Sequence, residues 1–230
     1  MIKLKNFLIF KLCQFIENIF IKINSLFKTK GIIVMFHHIT EEELDIIPCC
    51  KCKTDRFTTI INNLTHEYEF IHLQDLSNPF RKNKFAIITF DDGCKDVYTN
   101  AYPILKNKNI PFTVYITQDF INKPGYMTEE DILCLNDEPL VTIGYHTKSH
   151  IKLKYCKNYE SECNVTKFSK FIGKDINYFA YPYGRIYEIG INSILFISKT
   201  KFKNAVGTIN APITRFSLLF KYYLPRVIIE

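Results

Sequence analysis

The amino-acid sequence predicts an α/β fold built on a parallel sheet, in one domain that follows an N-terminal amphipathic helix. Runs of β-branched and aromatic residues alternate with runs of helical periodicity, which is typical of parallel strands joined by crossover helices. The 230 residues suffice for one core of the larger kind, and no internal repeat or Pro/Ser-rich linker divides them. Periodicity alone leaves open whether the sheet is open or closed into a barrel.

Residues 1–29 predict the amphipathic helix. Their apolar residues recur at helical spacing, at Phe7, Phe10, Ile16, Ile19, Phe20 and Ile23. Lys11, Glu17 and Lys22 interrupt the hydrophobic stretch, which disfavours a membrane-spanning segment, and no small-residue cleavage site follows it. The helix should cap the domain or rest on a membrane surface. Without a convincing signal peptide, we expect a cytoplasmic or peripheral membrane protein.

The domain itself spans residues 30–230. Its predicted strands are apolar runs bounded by polar residues, at 31–37, 69–73, 84–90, 111–117, 140–144 and 178–181. Predicted helices repeat their apolar residues every three or four positions, at 57–64, 97–105, 128–135 and 158–171. Asp55 and Thr128 are the expected starts of two helices, and Pro103 lies within a third. The polar motifs fall at carboxyl ends of strands, where parallel barrels have their chemistry.

Charge and cysteines exclude two classes of protein. The net charge of +7 is spread along the chain, so a nucleic-acid-binding arm is not expected. A preference for an anionic membrane or an acidic glycan stays open. The eight Cys include the cluster Cys49-Cys50-Lys51-Cys52, which lacks the second ligand pair of a zinc knuckle. We therefore expect reduced thiols and no secreted disulfide framework.

Two adjacent carboxylates, Asp91 and Asp92, end the predicted strand 84–90. A straight strand would point them to opposite faces, but Gly93 lets the chain turn so that both can reach one pocket. One could bind a metal ion while the other accepts a proton. A helix N-cap is the alternative role for either one of them.

A pair of histidines, His146 and His150, follows the predicted strand 140–144. On a helical turn the side chains at i and i+4 share a face, so both imidazoles could approach one divalent ion. With Asp92 they make a two-histidine, one-carboxylate set that leaves positions for water and substrate. The alternative is a pair of surface or buried neutral histidines.

The segment Tyr178–Gly184 ends in a rigid Pro-Tyr-Gly turn. Such a turn could shape a sugar-sized groove and aim a backbone N–H at a developing oxyanion. The alternative is a tight turn without a role in binding.

Together, the segments 89–93, 146–150 and 181–184 resemble, in this order, the motifs of the polysaccharide deacetylase family (NodB-homology, carbohydrate esterase family 4). The resemblance implies a distorted (β/α)7-type barrel and a hydrolase of carbon–nitrogen amide bonds. It implies Asp91 as the catalytic base and a backbone N–H of Tyr183 in the oxyanion hole. It also implies a divalent metal ion, with zinc expected, whose ligands are Asp92, His146 and His150.

The general acid requires a different source from that of the common family pattern. No His follows His150 and the chain has no Trp, so the late family motifs are missing. The segment 34–39 instead resembles the Tyr-His element of poly-N-acetylglucosamine deacetylases, in which the acid histidine lies on the N-terminal strand. His37 is then the candidate acid, and His38 is the alternative. Both could also be solvated strand-end histidines.

The arginine that tunes the base in the family is missing too, because Asn177 stands at the matching position. The segment 223–228 resembles the Leu-Pro-Arg strand that closes related short deacetylases. Arg226 could therefore replace the missing arginine beside Asp91. A surface salt bridge is its alternative role.

The resulting hypothesis is a metal-dependent hydrolase that removes N-acetyl groups from an amino sugar in a polysaccharide, oligosaccharide or glycan precursor. A glycan-binding barrel that has lost catalysis is the alternative. The expected partner is an N-acetylated glycan, with no nucleic acid and with membrane contact through residues 1–25 as an option. The sequence leaves open the sugar, N- against O-acetyl preference and the oligomeric state.

Overall fold

A computed structural model describes residues 2–42, 50–77 and 83–229, with side chains from residue 7 onward. The predicted thiol cluster is therefore described only in part, because Cys49 lies outside these ranges. In the described residues the strands are β1 Thr29–Phe36, β2 His38–Ile39, β3 Lys51–Cys52, β4 Glu69–Phe70, β5 Phe85–Phe90, β6 Phe112–Ile116, β7 Val141–Tyr145, β8 Tyr178–Ala180, β9 Asn204–Val206 and β10 Ile213–Thr214. The α-helices are α1 Ile2–Asn24, α2 Thr54–Glu67, α3 Tyr102–Asn107, α4 Glu129–Asp137, α5 Tyr159–Cys163, α6 Thr166–Ile172, α7 Ile186–Ile189 and α8 Ile191–Ile197.

The main sheet curls into a barrel. Its order is β10-β1-β5-β6-β7-β8-β9, with β4 beside the start of β5, and every pair is parallel except β10 on β1. The segment 224–227 closes the ring, since Leu224 bridges Val206 of β9 and Val227 bridges Val34 of β1. β1, β5 to β9 and this closing segment thus form a ring of parallel members. The predicted distorted (β/α)7-type barrel is confirmed.

The inner and outer faces of the strands carry separate apolar clusters. The larger cluster lies between the strands and the helices, and the smaller one includes Ile33, Ile87, Tyr115 and Leu224. Both faces of β1, β5 and β6 are buried, which explains why these strands are continuous apolar runs without alternation. Since side chains alternate along a strand, Thr89 and Asp91 share the inward face of Ile87.

Several predicted helices and strands have different bounds in the structure. The predicted helix 97–105 contains a π-helical turn at Val97–Ala101, and Pro103 lies in the first turn of α3, directly after this turn. The predicted helix 158–171 is divided into α5 and α6. Asp55 is not a cap, because Lys53 holds that position and Asp55 lies in the first turn of α2.

Thr128 does begin a helix, as predicted. Its hydroxyl accepts a hydrogen bond from the backbone N–H of Asp131, and the Asp131 carboxylate accepts one from the backbone N–H of Thr128. This reciprocal capping box satisfies two donors at the start of α4.

The helix α1 packs on the barrel through a buried acid. Glu17 is fully buried, and its Oε2 accepts a hydrogen bond from Nε of Arg185 at 2.7 Å. Its Oε1 accepts from the backbone N–H of Ile186 at 2.8 Å and from the Tyr223 hydroxyl at 3.5 Å. The charge of Glu17 is thus paired with Arg185 and ties α1 to the start of α7.

The other end of α1 is held by an amide and by aromatic rings. Asn24 donates to the carbonyl oxygen of Pro212 at 2.9 Å and accepts from the Thr214 hydroxyl at 2.5 Å. Phe20 packs against Phe216 and Phe220. No helix in the described part of the chain is both long and apolar enough to cross a bilayer.

We expect the two halves of the Glu17 and Arg185 pair to respond differently to substitution. Arg185→Ala leaves a fully buried carboxylate without its counterion and should lower the free energy of unfolding by about 3 kcal/mol. Glu17→Gln removes the buried charge, and Arg185, whose side chain is 40% exposed, can turn toward water. We therefore expect this variant to lose only about 1 kcal/mol of the free energy of unfolding. Urea denaturation measures both values, and equal losses would contradict this account of the helix anchor.

Candidate active site

A buried ion pair forms the floor of the site. Arg226 and Asp91 are almost fully buried, and the guanidinium binds both carboxylate oxygens, Nη1 to Oδ1 at 2.7 Å and Nη2 to Oδ2 at 2.6 Å. Burial raises the pKa of the Asp91 carboxyl, but the positive charge of Arg226 and its hydrogen bonds outweigh burial and hold this pKa below its ordinary value. Asp91 is therefore a buried carboxylate that stays ionised.

Arg226 is itself fixed by further contacts inside the barrel. Its Nε donates to the carbonyl oxygen of Gly207 at 2.8 Å, and Nη1 also donates to the Thr89 hydroxyl at 3.2 Å. The guanidinium lies 5.8 Å from the centre of the Tyr115 ring. The surface salt bridge that the sequence left open is excluded by this burial.

Asn177, the position compared with the family arginine, lies away from Asp91. It precedes β8 at the end of the strand opposite the site, where its carbonyl oxygen accepts from the Lys203 backbone N–H. Its side chain donates to the carbonyl oxygen of Asp175. The Asn177 side chain does not bond the base, and the side-chain hydrogen bonds that the described residues make to Asp91 come from Arg226 of the closing segment.

Three potential metal ligands converge beside this pair. The Oδ1 atom of Asp92 lies 3.4 Å from Nε2 of His146 and 3.2 Å from Nε2 of His150, and the ligand atoms of the set all lie within 4.8 Å of one another. The structure thus contains a possible metal site.

The donors of this set fit a cation. The Nδ1–H of His146 donates to the carbonyl oxygen of Ala180 at 2.8 Å, which leaves Nε2 with a free lone pair that faces Asp92. Oδ1 of Asp92 is buried and has no hydrogen-bond partner among the described residues. A carboxylate oxygen and an imidazole lone pair repel each other unless positive charge lies between them, so these residues fit a divalent ion.

The predicted geometry of the histidine pair is wrong. His146 and His150 do not lie on a helical turn, since residues 146–150 form a loop in which Thr147 and His150 have left-handed backbone angles, φ +66° and +57°. The loop is held by Glu162, whose carboxylate accepts from both the N–H and the hydroxyl of Ser149. The sharp turn, not helical periodicity, brings the two rings to 5.0 Å between centres.

The turn after Asp91 also uses left-handed backbone. Asp92 has φ +70° and Gly93 has φ +82°, so the chain reverses direction immediately after β5. This reversal lets Asp91 point into the barrel while Asp92 faces the histidines. The role of an ordinary helix N-cap is therefore not needed to explain either residue.

Tyr183 lies at the rim of the site. Its backbone is left-handed, φ +64°, and its ring is 5.0 Å from the His150 ring and 45% exposed. The turn is fixed because the Thr208 hydroxyl donates to the Tyr183 carbonyl oxygen and a Cβ on Gly184 would meet Thr208 at 2.4 Å. Among the described residues no acceptor binds the N–H of Tyr183, which leaves it free for a ligand.

The structure separates the two candidate acids. Nε2 of His37 lies 4.0 Å from Oδ2 of Asp91, and its Nδ1 is buried with no hydrogen-bond partner in the described chain. Burial lowers the pKa of His37, against the opposing effect of Asp91. His38 points elsewhere: its Nδ1 donates to Asp96 at 2.6 Å, and the thiol of Cys94 approaches its Nε2 at 3.3 Å.

Sequence reasoning missed Glu17 and Glu162, which support the site from outside. In the sequence Glu17 interrupts a hydrophobic stretch, and its place among the apolar residues of one helix face is the signal that indicates a buried, paired acid. Glu162 carries no such signal, because its partner Ser149 lies on a loop of irregular backbone.

The comparisons with known proteins agree with the geometry. The family model described as polysaccharide deacetylase matches residues 80–194. The chain belongs to the polysaccharide deacetylase family. Over 187 residues it is 25% identical to the poly-beta-1,6-N-acetyl-D-glucosamine N-deacetylase of Staphylococcus aureus, which covers 72% of this chain and 63% of that one. The chain spans less than two thirds of the length of the curated relatives it matches.

Solved structures of this family share the fold. A polysaccharide deacetylase from Bacillus cereus matches with a TM-score of 0.77 at 22% identity, covering 86% of this chain and 64% of that one. The Streptococcus pyogenes deacetylase PplD, solved in complex with acetate, matches with a TM-score of 0.76 at 20% identity, covering 87% and 92%. The predicted resemblance to the polysaccharide deacetylase family is therefore confirmed.

Removing one imidazole should abolish stoichiometric metal binding. His146→Ala and His150→Ala each leave two of three protein ligands, so we expect zinc-loaded protein to lose its metal on dialysis, as measured by elemental analysis. His66→Ala, which removes an exposed histidine of α2, is the matched control and should keep its metal. Asp91→Asn should keep it too, and full zinc retention in both site variants would refute the ligand set.

Proposed function

We propose that this chain is a metal-dependent hydrolase that removes N-acetyl groups from an amino sugar in a polysaccharide, oligosaccharide or glycan precursor. The observation that supports this most is the placement of a buried, ionised Asp91 next to the set formed by Asp92, His146 and His150. A protein that only binds glycans has no use for a buried carboxylate held ionised beside a cation site. The catalytic interpretation is therefore favoured over the binding barrel.

The metal ion of the proposal is held by Asp92, His146 and His150, and zinc is the ion we expect for two imidazoles and one carboxylate. When bound, such an ion would polarise the acetyl carbonyl and lower the pKa of a water molecule. All other steps fall to side chains and backbone groups of the chain.

Asp91 is the proposed general base. Arg226 occupies one lone pair of each carboxylate oxygen, so a second lone pair on each oxygen remains to accept the proton of the attacking water. Because its pKa lies below the ordinary value, Asp91 is ionised before the reaction begins. Arg226 also fixes the plane of the carboxylate, which directs the base at the attacking water.

The proposed acid is His37. As water attacks, a C–O bond forms at the acetyl carbon, the C–N bond breaks, and the amine nitrogen takes a proton from the His37 imidazolium. Burial lowers the pKa of His37, which makes its protonated form a stronger acid. The products are acetate and the free amino sugar, and the proton on Asp91 restores the imidazolium through solvent.

Tyr183 is proposed to stabilise the developing oxyanion and to contact the sugar. Its free backbone N–H is fixed by the strained turn and needs no reorganisation when negative charge develops on the acetyl oxygen. Its half-exposed ring offers a flat face for a sugar. The name of the Staphylococcus aureus relative supports an N-acetylglucosamine polymer as the substrate class.

The two neighbouring histidines provide the sharpest test. His37→Ala should lower the kcat of acetate release by about 100-fold or more, because it removes the proton donor for the amine. His38 contacts Asp96 and Cys94 and no reacting group. The kcat of His38→Ala per folded molecule should therefore stay within a few-fold of the wild-type value. Acetate is measured enzymatically on N-acetylglucosamine oligomers of β-1,4 and β-1,6 linkage, with and without chelator.

Two results would contradict the proposal. Oligomer binding by calorimetry with no acetate release from any N-acetylated or O-acetylated substrate would support the binding barrel. A larger loss of kcat in His38→Ala than in His37→Ala would show that the assigned acid is wrong.

A further inference from the structure

The helix α1 carries apolar residues on the face turned away from the barrel. Glu17, Phe20 and Asn24 pack inward, yet an exposed stripe continues along the opposite side. At 100° per residue, the members of this stripe lie within about a third of the helix circumference. The exposed stripe consists of Leu8, Leu12, Phe15, Ile16, Ile19 and Ile23.

A second apolar patch lies next to this helix. Leu219 and Phe220 are exposed, and Phe220 contacts Phe20 of α1. Phe20 lies one helical turn from Ile16 and from Ile23 of the stripe, so the patch adjoins the stripe through this ring. Contiguous apolar area of this kind on a folded domain marks an interaction site.

The charges around this surface are positive. Lys11, Lys22 and Lys28 are exposed on and after α1, and Arg215 and Lys221 flank the second patch. Residues 1–40 contain a single acidic residue, Glu17, which is buried and paired with Arg185. Residues 189–229 contain no Asp or Glu. The apolar surface is thus bordered by cations whose charge no neighbouring carboxylate of these segments offsets.

We propose that this face docks on an anionic phospholipid bilayer, with α1 lying parallel to the membrane plane. An apolar stripe with lysines at its border fits the boundary between acyl chains and negatively charged headgroups. A second copy of the chain is a poorer occupant, because two such faces would bring lysines together without acidic partners.

This placement gives α1 a role in the position of the active site. Phe10 of α1 packs on Tyr187, and Glu17 binds Arg185, two residues after Tyr183. The docked helix therefore lies beside the rim of the site. Given the proposed function, the substrate at this rim is an acetylated glycan held near a membrane surface.

Vesicle sedimentation of the full chain tests the docking. We expect binding to vesicles of phosphatidylglycerol and phosphatidylcholine, weak binding to phosphatidylcholine alone, and release at high salt. Leu12→Gln with Phe15→Gln should weaken binding by about tenfold or more. Lys11→Gln with Lys22→Gln should weaken it by about tenfold on the anionic vesicles only.

The matched control replaces two apolar residues of similar exposure that lie outside the stripe. Ile191 and Leu195 of α8 are 67% and 53% exposed, against 58% and 61% for Leu12 and Phe15, so Ile191→Gln with Leu195→Gln should bind like the wild type. Circular dichroism confirms that each variant is folded.

Three outcomes would overturn the docking proposal: no sedimentation of folded wild type with anionic vesicles, equal loss in the stripe and control variants, or a dimer by light scattering that the stripe variant dissociates. The last would assign the face to a second copy. None of these outcomes depends on acetate release, so failure here is distinct from failure of the proposed function.

Discussion

The buried pair of Asp91 and Arg226 is the interaction on which both the fold and the site depend. Two charges deep in a barrel are stable only when their geometry is good and their remaining donors are satisfied. Here the guanidinium binds both carboxylate oxygens and donates further hydrogen bonds to the Gly207 carbonyl oxygen and the Thr89 hydroxyl. Arg226 lies on the segment that closes the barrel between β9 and β1, so the residue that orients Asp91 also belongs to the last member of the ring.

Strained backbone is concentrated around this pair. Asp92, Thr147, His150 and Tyr183 all have positive φ without being glycine, and all four lie on the turns that surround the site. Residues held in this region cost free energy that packing elsewhere must offset, and such residues cluster at functional sites. These turns orient the Asp92 carboxylate, the two imidazoles and the Tyr183 N–H toward one point.

The sequence predicted the fold class, the carboxyl-end position of the motifs and the residues that gather there. Periodicity and composition were enough for β1, β5 and β6, since both faces of these strands are apolar, whereas the short strands β9 and β10 were not predicted. The geometry that joins His146 to His150 was not predictable from spacing, because left-handed turns at non-glycine residues leave no periodic signal.

Long-range polar contacts were harder to predict than strands. Whether Arg226 is buried or on the surface could not be decided from the sequence, because its partner Asp91 lies far away along the chain although the two side chains are bonded in the fold. The anchor at Glu17 likewise pairs with a residue far away in sequence. A resemblance to the closing strand of related proteins indicated the first contact, and nothing comparable indicated the second.

The central claim is that the two-point contact of Arg226 makes Asp91 an oriented, ionised base. Acetate release by Arg226→Lys, expressed per metal-loaded molecule, tests this most directly, since lysine keeps the charge but cannot hold both oxygens in a plane. The account predicts a folded protein with full metal content whose kcat falls by about 100-fold. A folded, metal-loaded Arg226→Lys variant with the wild-type kcat would contradict it.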